Sequence, residues 1–390
     1  GLYAEGYAAI DYTFSDGKQI NQPYDLYYYD NATQEYQNKR SDTGQISLND
    51  WATRYSTITL NGRIGYERTF NDVHKVNAFV AYEQSKYNYH TLSGYRTNFL
   101  SNTLMDLFAG SDVPADKDNG GYSDATARVN FFGRVNYSYK DKYLAEFTMR
   151  YDGSMNFAPG HRWGAFPSFS LGWVLSEEKF FEPARKLFDN FKLRASVGSL
   201  GNQVTNGNFD YIGTVGSENL NYVLSGKIPS GITPATLAYN NVTWEKVTTA
   251  NFGLDLGLLN NRLTASFDYY IRYTTDMVVS KAYPNTMGTS GGKENLASMR
   301  TNGWELSLNW TDRINDVAGS PLEYNIGIGL SDSYSTITKY DNPTGTLNDL
   351  YVGKRLGEIW GYTTDGFIMD AAEASEQSVR QSYISNTWIP

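Results

Sequence analysis

The sequence predicts a transmembrane antiparallel β-barrel. Three observations lead there. Apolar and polar residues alternate over unusually long segments, aromatic residues collect at segment ends, and the connections alternate between short and long. The composition narrows the field in the same direction. Aromatic residues make up 15% of the 390 positions, charged residues only 19%, and 36 are Gly, which suits neither a disordered nor a helical chain. There are 33 Lys+Arg against 42 Asp+Glu, a net charge of −9, so no basic nucleic-acid footprint covers the chain. The absence of cysteine removes disulfide scaffolds, thiolate metal sites and cysteine nucleophiles. No apolar run approaches the ~18 residues of a spanning helix, whereas barrel strands alternate and keep average hydropathy low.

Strands are expected at 2–14, 54–68, 72–90, 127–139, 143–152, 165–175, 190–199, 243–258, 262–279, 302–312 and 321–334. The clearest runs from Tyr143 through Ala145, Phe147, Met149 and Tyr151, with Glu146, Thr148, Arg150 and Asp152 between them. Phe191, Leu193, Ala195 and Val197 alternate with Lys192, Arg194 and Ser196. Leu263, Ala265, Phe267, Tyr269 and Ile271 alternate with Thr264, Ser266, Asp268, Tyr270 and Arg272. Trp304, Leu306, Leu308 and Trp310 repeat the pattern, as do Tyr324, Ile326, Ile328 and Leu330. A soluble one-sided sheet would show the same period, but with strands of ~5–6 residues. Several segments here run to ten or more, close to the ~9–11 of a tilted crossing.

Short connections fall at Thr69–Asn71, Lys140–Lys142, Leu259–Asn261 and, less tightly, Thr311–Ser320. Long ones cover 15–53, 91–126, 200–242, 280–301 and everything after 334. Outer-membrane barrels turn tightly on the periplasmic side and loop out on the cell surface, so the alternation also sets an orientation. Between Ser176 and Asn190 one short amphipathic helix is expected, N-capped by Ser176 with Glu177 and Glu178 in its first turn. Keeping one face apolar requires an even number of loop residues between Leu258 and Leu263, and an odd number between Tyr139 and Tyr143. Phe147, Leu254, Phe267, Leu306 and Ile326 then meet lipid. Arg134, Glu146, Arg150, Arg194, Asp268, Arg272 and Glu305 face the lumen, where a hydrogen-bonded lining is the expectation for each.

Eleven strands are an odd number, and closed single-chain bacterial barrels have an even one. Strands are therefore expected beyond both ends, residues 1–390 forming part of one barrel domain. Gly1, Leu2 and Tyr3 are expected to be strand already, with no basic and apolar leader pattern among the first residues.

Motifs for chemistry are weak. Gly288–Gly292 fits the five-residue nucleophile elbow but lacks the helix and a histidine partner, so a surface loop is expected. Asp116–Gly121 resembles the start of a calcium loop, yet position twelve is Ala127 where a bidentate Glu is needed. A looser calcium site in loop 91–126 is the one cofactor reading it leaves. His74, His90 and His161 form no ligand pair, and Gly198–Asn202 lacks the Lys of a phosphate loop. No catalytic residue and no metal site are expected; the chain is not read as an enzyme.

Five segments are similar to the SusC/RagA family of TonB-dependent outer-membrane transporters, typical of Bacteroides-like bacteria. They are Phe131–Phe181, with its run YDGS…FAPG…RWG…FPS, then Asp189–Gln203, Trp244–Val279, Asn295–Trp310 and Gly357–Ile368. The resemblance implies a barrel of ~22 strands, plugged by a domain N-terminal to it, in the outer membrane of a Gram-negative bacterium. It implies import of a large polymeric nutrient, a glycan or an oligopeptide, captured with a SusD-like surface lipoprotein and energised through TonB, ExbB and ExbD. The TonB box, plug and closing strands have no counterpart in these residues. Rings stack on sugars or peptide side chains, so Tyr95, Tyr239, Trp244, Trp360 and Tyr362, with Arg96, are the ligand-binding candidates. A passive porin and a secreted glycan-binding β protein are the alternatives.

Overall fold

The computed structural model describes residues 1–372 except 42–43, 206, 233–237, 239, 282–285, 287–291, 344, 365, 368 and 371, and the side chains of 40, 41 and 316. The strands are β1 (Leu2–Asn21), β2 (Asp25–Asp30), β3 (Glu35–Ser41), β4 (Ser47–Phe70) and β5 (His74–Thr97). They continue as β6 (Lys117–Tyr139), β7 (Tyr143–Ser154), β8 (Trp163–Val174), β9 (Phe188–Asn202) and β10 (Ser217–Asn219). The last are β11 (Ser230–Ile232), β12 (Glu245–Leu258), β13 (Leu263–Ser280), β14 (Lys293–Val317) and β15 (Ser320–Lys339). Eleven of them form one antiparallel sheet in the order β1-β4-β5-β6-β7-β8-β9-β12-β13-β14-β15. The two remaining pairs, β2-β3 and β10-β11, are small hairpins inside connections. All eleven expected strands are present, each next to its neighbour in the chain as a meander requires.

Among the described residues no extended dry core lies behind this sheet. The accessible surface is 26944 Å², whereas a compact globule of this mass would expose roughly 15,000 Å². Among the described residues the buried hydrophobic ones are few, and Phe147, Phe169, Phe267 and Ile326 stand exposed. A soluble sandwich would have buried them. The secreted β protein is thereby set aside.

Register follows the apolar face. Leu193, Leu254, Phe267, Leu306 and Leu330 lie opposite one another across five strands. Phe147 sits between Val135 and Phe169, and Ile326 faces Trp310. Tyr139 pairs with Tyr143 across a three-residue turn, and Leu258 with Leu263 across four residues, matching the parity the pattern demands.

Aromatic girdles bound the apolar band. On the short-turn side His74, Tyr139, Tyr143 and Trp173 follow one another, with centroids 4.9, 6.2 and 6.3 Å apart. On the other side Tyr82, Phe131, Trp163 and Tyr151 do the same at 5.2, 6.2 and 4.8 Å. Tyr143 to Tyr151 is eight residues, about 26 Å of strand, and Trp173 to Trp163 is ten, about 33 Å. Tilted as barrel strands are, these span about 20–25 Å of membrane, the height of an outer-membrane apolar band.

Four expectations are corrected. The strands outrun the apolar pattern on the loop side: β5 reaches Thr97 and β6 begins at Lys117, so the connection 91–126 shrinks to 98–116. Likewise β1 and β4 leave only 22–46, which holds the β2-β3 hairpin. Alternation is enforced only where a strand meets lipid; beyond it the backbone still pairs while side chains are free to be polar. The connection 311–320 tightens to two residues, because Ala318 and Gly319 both take positive φ (53° and 85°), the geometry of a type I′ hairpin. Finally, Ser176–Asn190 forms two 3₁₀ segments, Leu175–Glu177 and Lys179–Lys186, instead of one helix. Pro183 in the second removes a backbone donor, and Ser176 is buried within the first instead of capping it.

Candidate functional site

The polar face carries the charges the alternation placed there. Arg194 donates from Nε and Nη2 to Asp255 at 2.8 and 2.9 Å, and from Nη1 and Nη2 to Asp268 at 3.0 and 2.9 Å. Asn251 adds a donor to Asp268 at 2.8 Å, and Ser266 one to Asp255 at 3.0 Å. Three strands, β9, β12 and β13, are thus clipped together by one guanidinium. The fork geometry of Arg makes such a double clamp available, where Lys would offer a point charge. Arg134 lies 3.8 Å from Glu146. Arg150 pairs with Asp152 at 3.0 Å and stacks over Phe132 at 4.9 Å. Arg272 covers Tyr270 at 5.2 Å, and Glu305 faces Asp268 in the ladder. Below Arg194, towards the short turns, a groove of about 530 Å³ is lined by Lys75, Asn136, Glu146, Ser170 and Lys192.

At the loop side the polar face ends in a built structure that the sequence pattern did not signal. The connection 155–162 joins β7 to β8. Phe157 is 1% exposed and packs with Phe166 and Trp244, and Ala158 beside it is 5% exposed. The Phe157 and Phe166 rings lie 5.3 and 5.6 Å from Trp244. Gly160 turns the chain at φ +93°, a conformation open to glycine, and Arg162 Nε donates back to the Phe157 carbonyl at 3.0 Å. A polar chain runs outward from it: Asn156 donates to Asn208 at 2.7 Å, which donates to Asp124 at 2.5 Å. This loop holds the FAPG stretch of the most family-like segment. A cavity of about 340 Å³ opens beside it, lined by Asn156, Phe157, Asn208, Tyr211, Val242 and Lys293.

The six ligand candidates separate. Trp244 is 9% exposed and its indole N–H donates to the Arg162 carbonyl at 3.0 Å, so it acts as a packing residue of the loop. Arg96 donates to the carbonyls of Gly110 and Ser111 and to Asp112 at 3.0 Å, which commits it to its own loop. Lys117 and then Arg96 hold the Asp112 carboxyl below its ordinary range. Tyr95 opens onto a shallow cleft of about 420 Å³ with Gln19, Asn49, Ser93, Asp118 and Asn119. Trp360 is exposed, its N–H given to Glu358 at 2.8 Å, and Tyr362 is fully exposed. Tyr239 lies outside the described residues, as do 288–291 of the elbow-like motif.

The calcium-like stretch is not a loop: Lys117–Gly121 runs in β6, and Asp116 accepts from Asn98 at 2.8 Å and Thr97 at 3.2 Å. Among the described residues no group of three or more His, Asp or Glu gathers to hold a metal.

A family model described as TonB dependent receptor-like, beta-barrel matches residues 3–368. The chain belongs to that family. It is a family of receptors rather than enzymes, and its barrels lie in the outer membrane. SusC of Bacteroides thetaiotaomicron, a TonB-dependent receptor, is 36% identical over 240 residues, covering 60% of this chain and 23% of its own length. The TonB-dependent receptor P39 of Formosa agariphila is 27% identical over 332 residues, 83% of this chain and 30% of the relative. The RagAB peptide importer, in its closed-closed state, superposes with a TM-score of 0.75 at 24% identity, over 88% of this chain and 35% of that one. This TonB-dependent receptor segment thus spans about a quarter to a third of the relatives it matches. The part-barrel architecture agrees with that share.

Proposed function

We propose that this wall belongs to an outer-membrane receptor that imports a large nutrient, a glycan or an oligopeptide. A SusD-like surface lipoprotein presents the ligand, and TonB with ExbB and ExbD supplies the energy through a region N-terminal to these strands. The observation that carries the reading is the 36% identity to SusC over 240 residues of a wall that has one apolar face and one hydrogen-bonded polar face. RagAB, whose wall has the same fold, is a peptide importer, which supports an oligopeptide as well as a glycan cargo. Tyr95, Trp360 and Tyr362 are the mouth residues proposed to touch ligand, because their rings are accessible.

The test uses the full-length receptor in its host. Uptake of glycans or oligopeptides should stop when TonB is deleted or the proton-motive force is collapsed, and fall when the partner lipoprotein is deleted. Uptake that continues undiminished in both would make the barrel a passive porin. Binding measured on Tyr95→Ala and Trp360→Ala should weaken; unchanged affinity in both would remove those residues from the ligand site.

A further inference from the structure

The connection between β8 and β9 is longer than the other short-turn connections and is built against the membrane face. Phe180 packs on the girdle residue Trp173 with centroids 6.3 Å apart, and Phe181 packs on Phe191 at 5.4 Å. Trp173 and Phe191 both lie on the apolar face, in register with Tyr143 and Leu256. The segment therefore lies along the outside of the wall, level with the short-turn girdle. Glu178 fixes it there. Its carboxylate accepts from the Tyr143 hydroxyl at 2.6 Å and the Trp173 indole at 3.3 Å, and lies 3.5 Å from Lys142.

With the segment pinned in this way, much of its apolar and cationic surface is left uncovered. Phe180 is 66% exposed and Leu187 50% exposed. Arg185 is occupied by the Ser176 carbonyl and Glu177. Among the described residues no ion pair engages Lys179, Lys186 or the nearby turn residue Lys140, while Glu182 is the one acidic residue of the segment without an ion pair. Exposed rings beside unpaired cations, at girdle level, are what an interfacial segment presents to phospholipid.

We propose that Lys179–Leu187 is an interfacial anchor that seats Phe180 and Leu187 in the periplasm-facing leaflet and holds an anionic phospholipid headgroup between Lys179 and Lys186. Continuity with the girdle selects lipid over a protein partner. The excess of unpaired lysines over Glu182 selects an anionic headgroup.

The experiment places a nitroxide at Phe180→Cys, with Glu182→Cys as reference, in the full-length receptor reconstituted in phosphatidylcholine vesicles with or without phosphatidylglycerol. This segment contributes no competing cysteine. The label at 180 should be more accessible to oxygen than to an aqueous nickel relaxant, and the label at 182 the reverse. Lys179→Gln and Lys186→Gln should each lower the preference for phosphatidylglycerol, read by lipid retained in native mass spectrometry, about fivefold. Should Phe180→Cys fail to assemble, Leu187→Cys gives the same readout. A label at 180 or 187 as water-exposed as the one at 182 overturns the anchor. A membrane-embedded label with no preference for phosphatidylglycerol overturns the headgroup site.

Discussion

Consecutive residues of β9, β12 and β13 lead opposite lives. Leu193, Leu254 and Phe267 line up across the apolar face, and one position on, Arg194, Asp255 and Asp268 close a hydrogen-bonded clamp on the polar face. The apolar row has no protein partner behind it, so the bilayer must supply its burial. The polar row is satisfied internally and asks little of its surroundings. One face is therefore specified by solvent and the other by geometry. Substitutions should respond accordingly, by hydrophobicity on the first and by hydrogen-bond count on the second.

The sharpest exception to that division is the apolar knot of Phe157, Phe166 and Trp244 at the loop-side end of the polar face. There, among the described residues, the wall is packed like a protein interior. Phe157→Ala should cost about 3–5 kcal/mol of local stability. Faster amide exchange through 155–162, with β7 and β8 unchanged below it, is the expected reading. A cost under ~1 kcal/mol would mean that the knot is not a core.

Next comes the apolar face itself. Phe267→Arg puts a cation against lipid near mid-membrane, at about 2–4 kcal/mol, and should reduce the heat-modifiable folded band in outer-membrane fractions. Asp268→Asn, one residue away, should assemble normally, since Arg194 keeps Asp255. Equal tolerance of the two changes would erase the distinction between the faces.

On the polar face, Arg194→Leu leaves Asp255 and Asp268 without their shared donor. It should cost about 1–3 kcal/mol, seen as a lower denaturant midpoint for the folded barrel. Adding Asp268→Asn to Arg194→Leu should recover part of the loss, because one of two facing carboxylates is neutralised. Additive losses would show that the clamp does not act as a unit.

How much of this was legible follows from the same contrast. The apolar face could be read directly, because lipid enforces period two: the parity of the turns after Tyr139 and Leu258 came out as the pattern required. Strand ends such as Thr97 and Lys117 could not, since beyond the bilayer no solvent boundary disciplines the side chains. Arg194 and Asp268 were recognisable as polar-face residues, but their partner Asp255 is fixed by cross-strand register, which strand positions alone do not contain. Trp244 looked like a ligand platform because aromatics at a mouth often are. Its burial depends on a loop 82 positions away, whose Arg162 carbonyl takes its N–H. The one hint was local: FAPG places a small residue, a proline and a glycine beside a ring, the makings of a tight, packed turn.

The smallest effect expected lies outside the membrane, in the connection 98–116, where charge replaces burial as the organiser. Lys117 and Arg96 grip Asp112 at 2.8 and 3.0 Å, and Asp116 accepts from Asn98 at 2.8 Å. Both carboxyls are held below their ordinary range: Asp112 by Lys117 first and then Arg96, Asp116 by hydrogen bonds from Ser111 and Asn98. A carboxyl whose folded value is depressed stabilises fully above its unfolded value of about 3.9 and loses that contribution as pH falls through the lower folded value. Amide exchange in 98–116, corrected for its intrinsic pH dependence, should stay flat from neutrality to about pH 5 and rise only below about pH 4. The Phe157 loop, held by packing, should not respond over that range. Exchange in 98–116 that stays flat well below pH 4 would mean that these ion pairs do not order the loop, leaving the buried ring of Phe99 to do so.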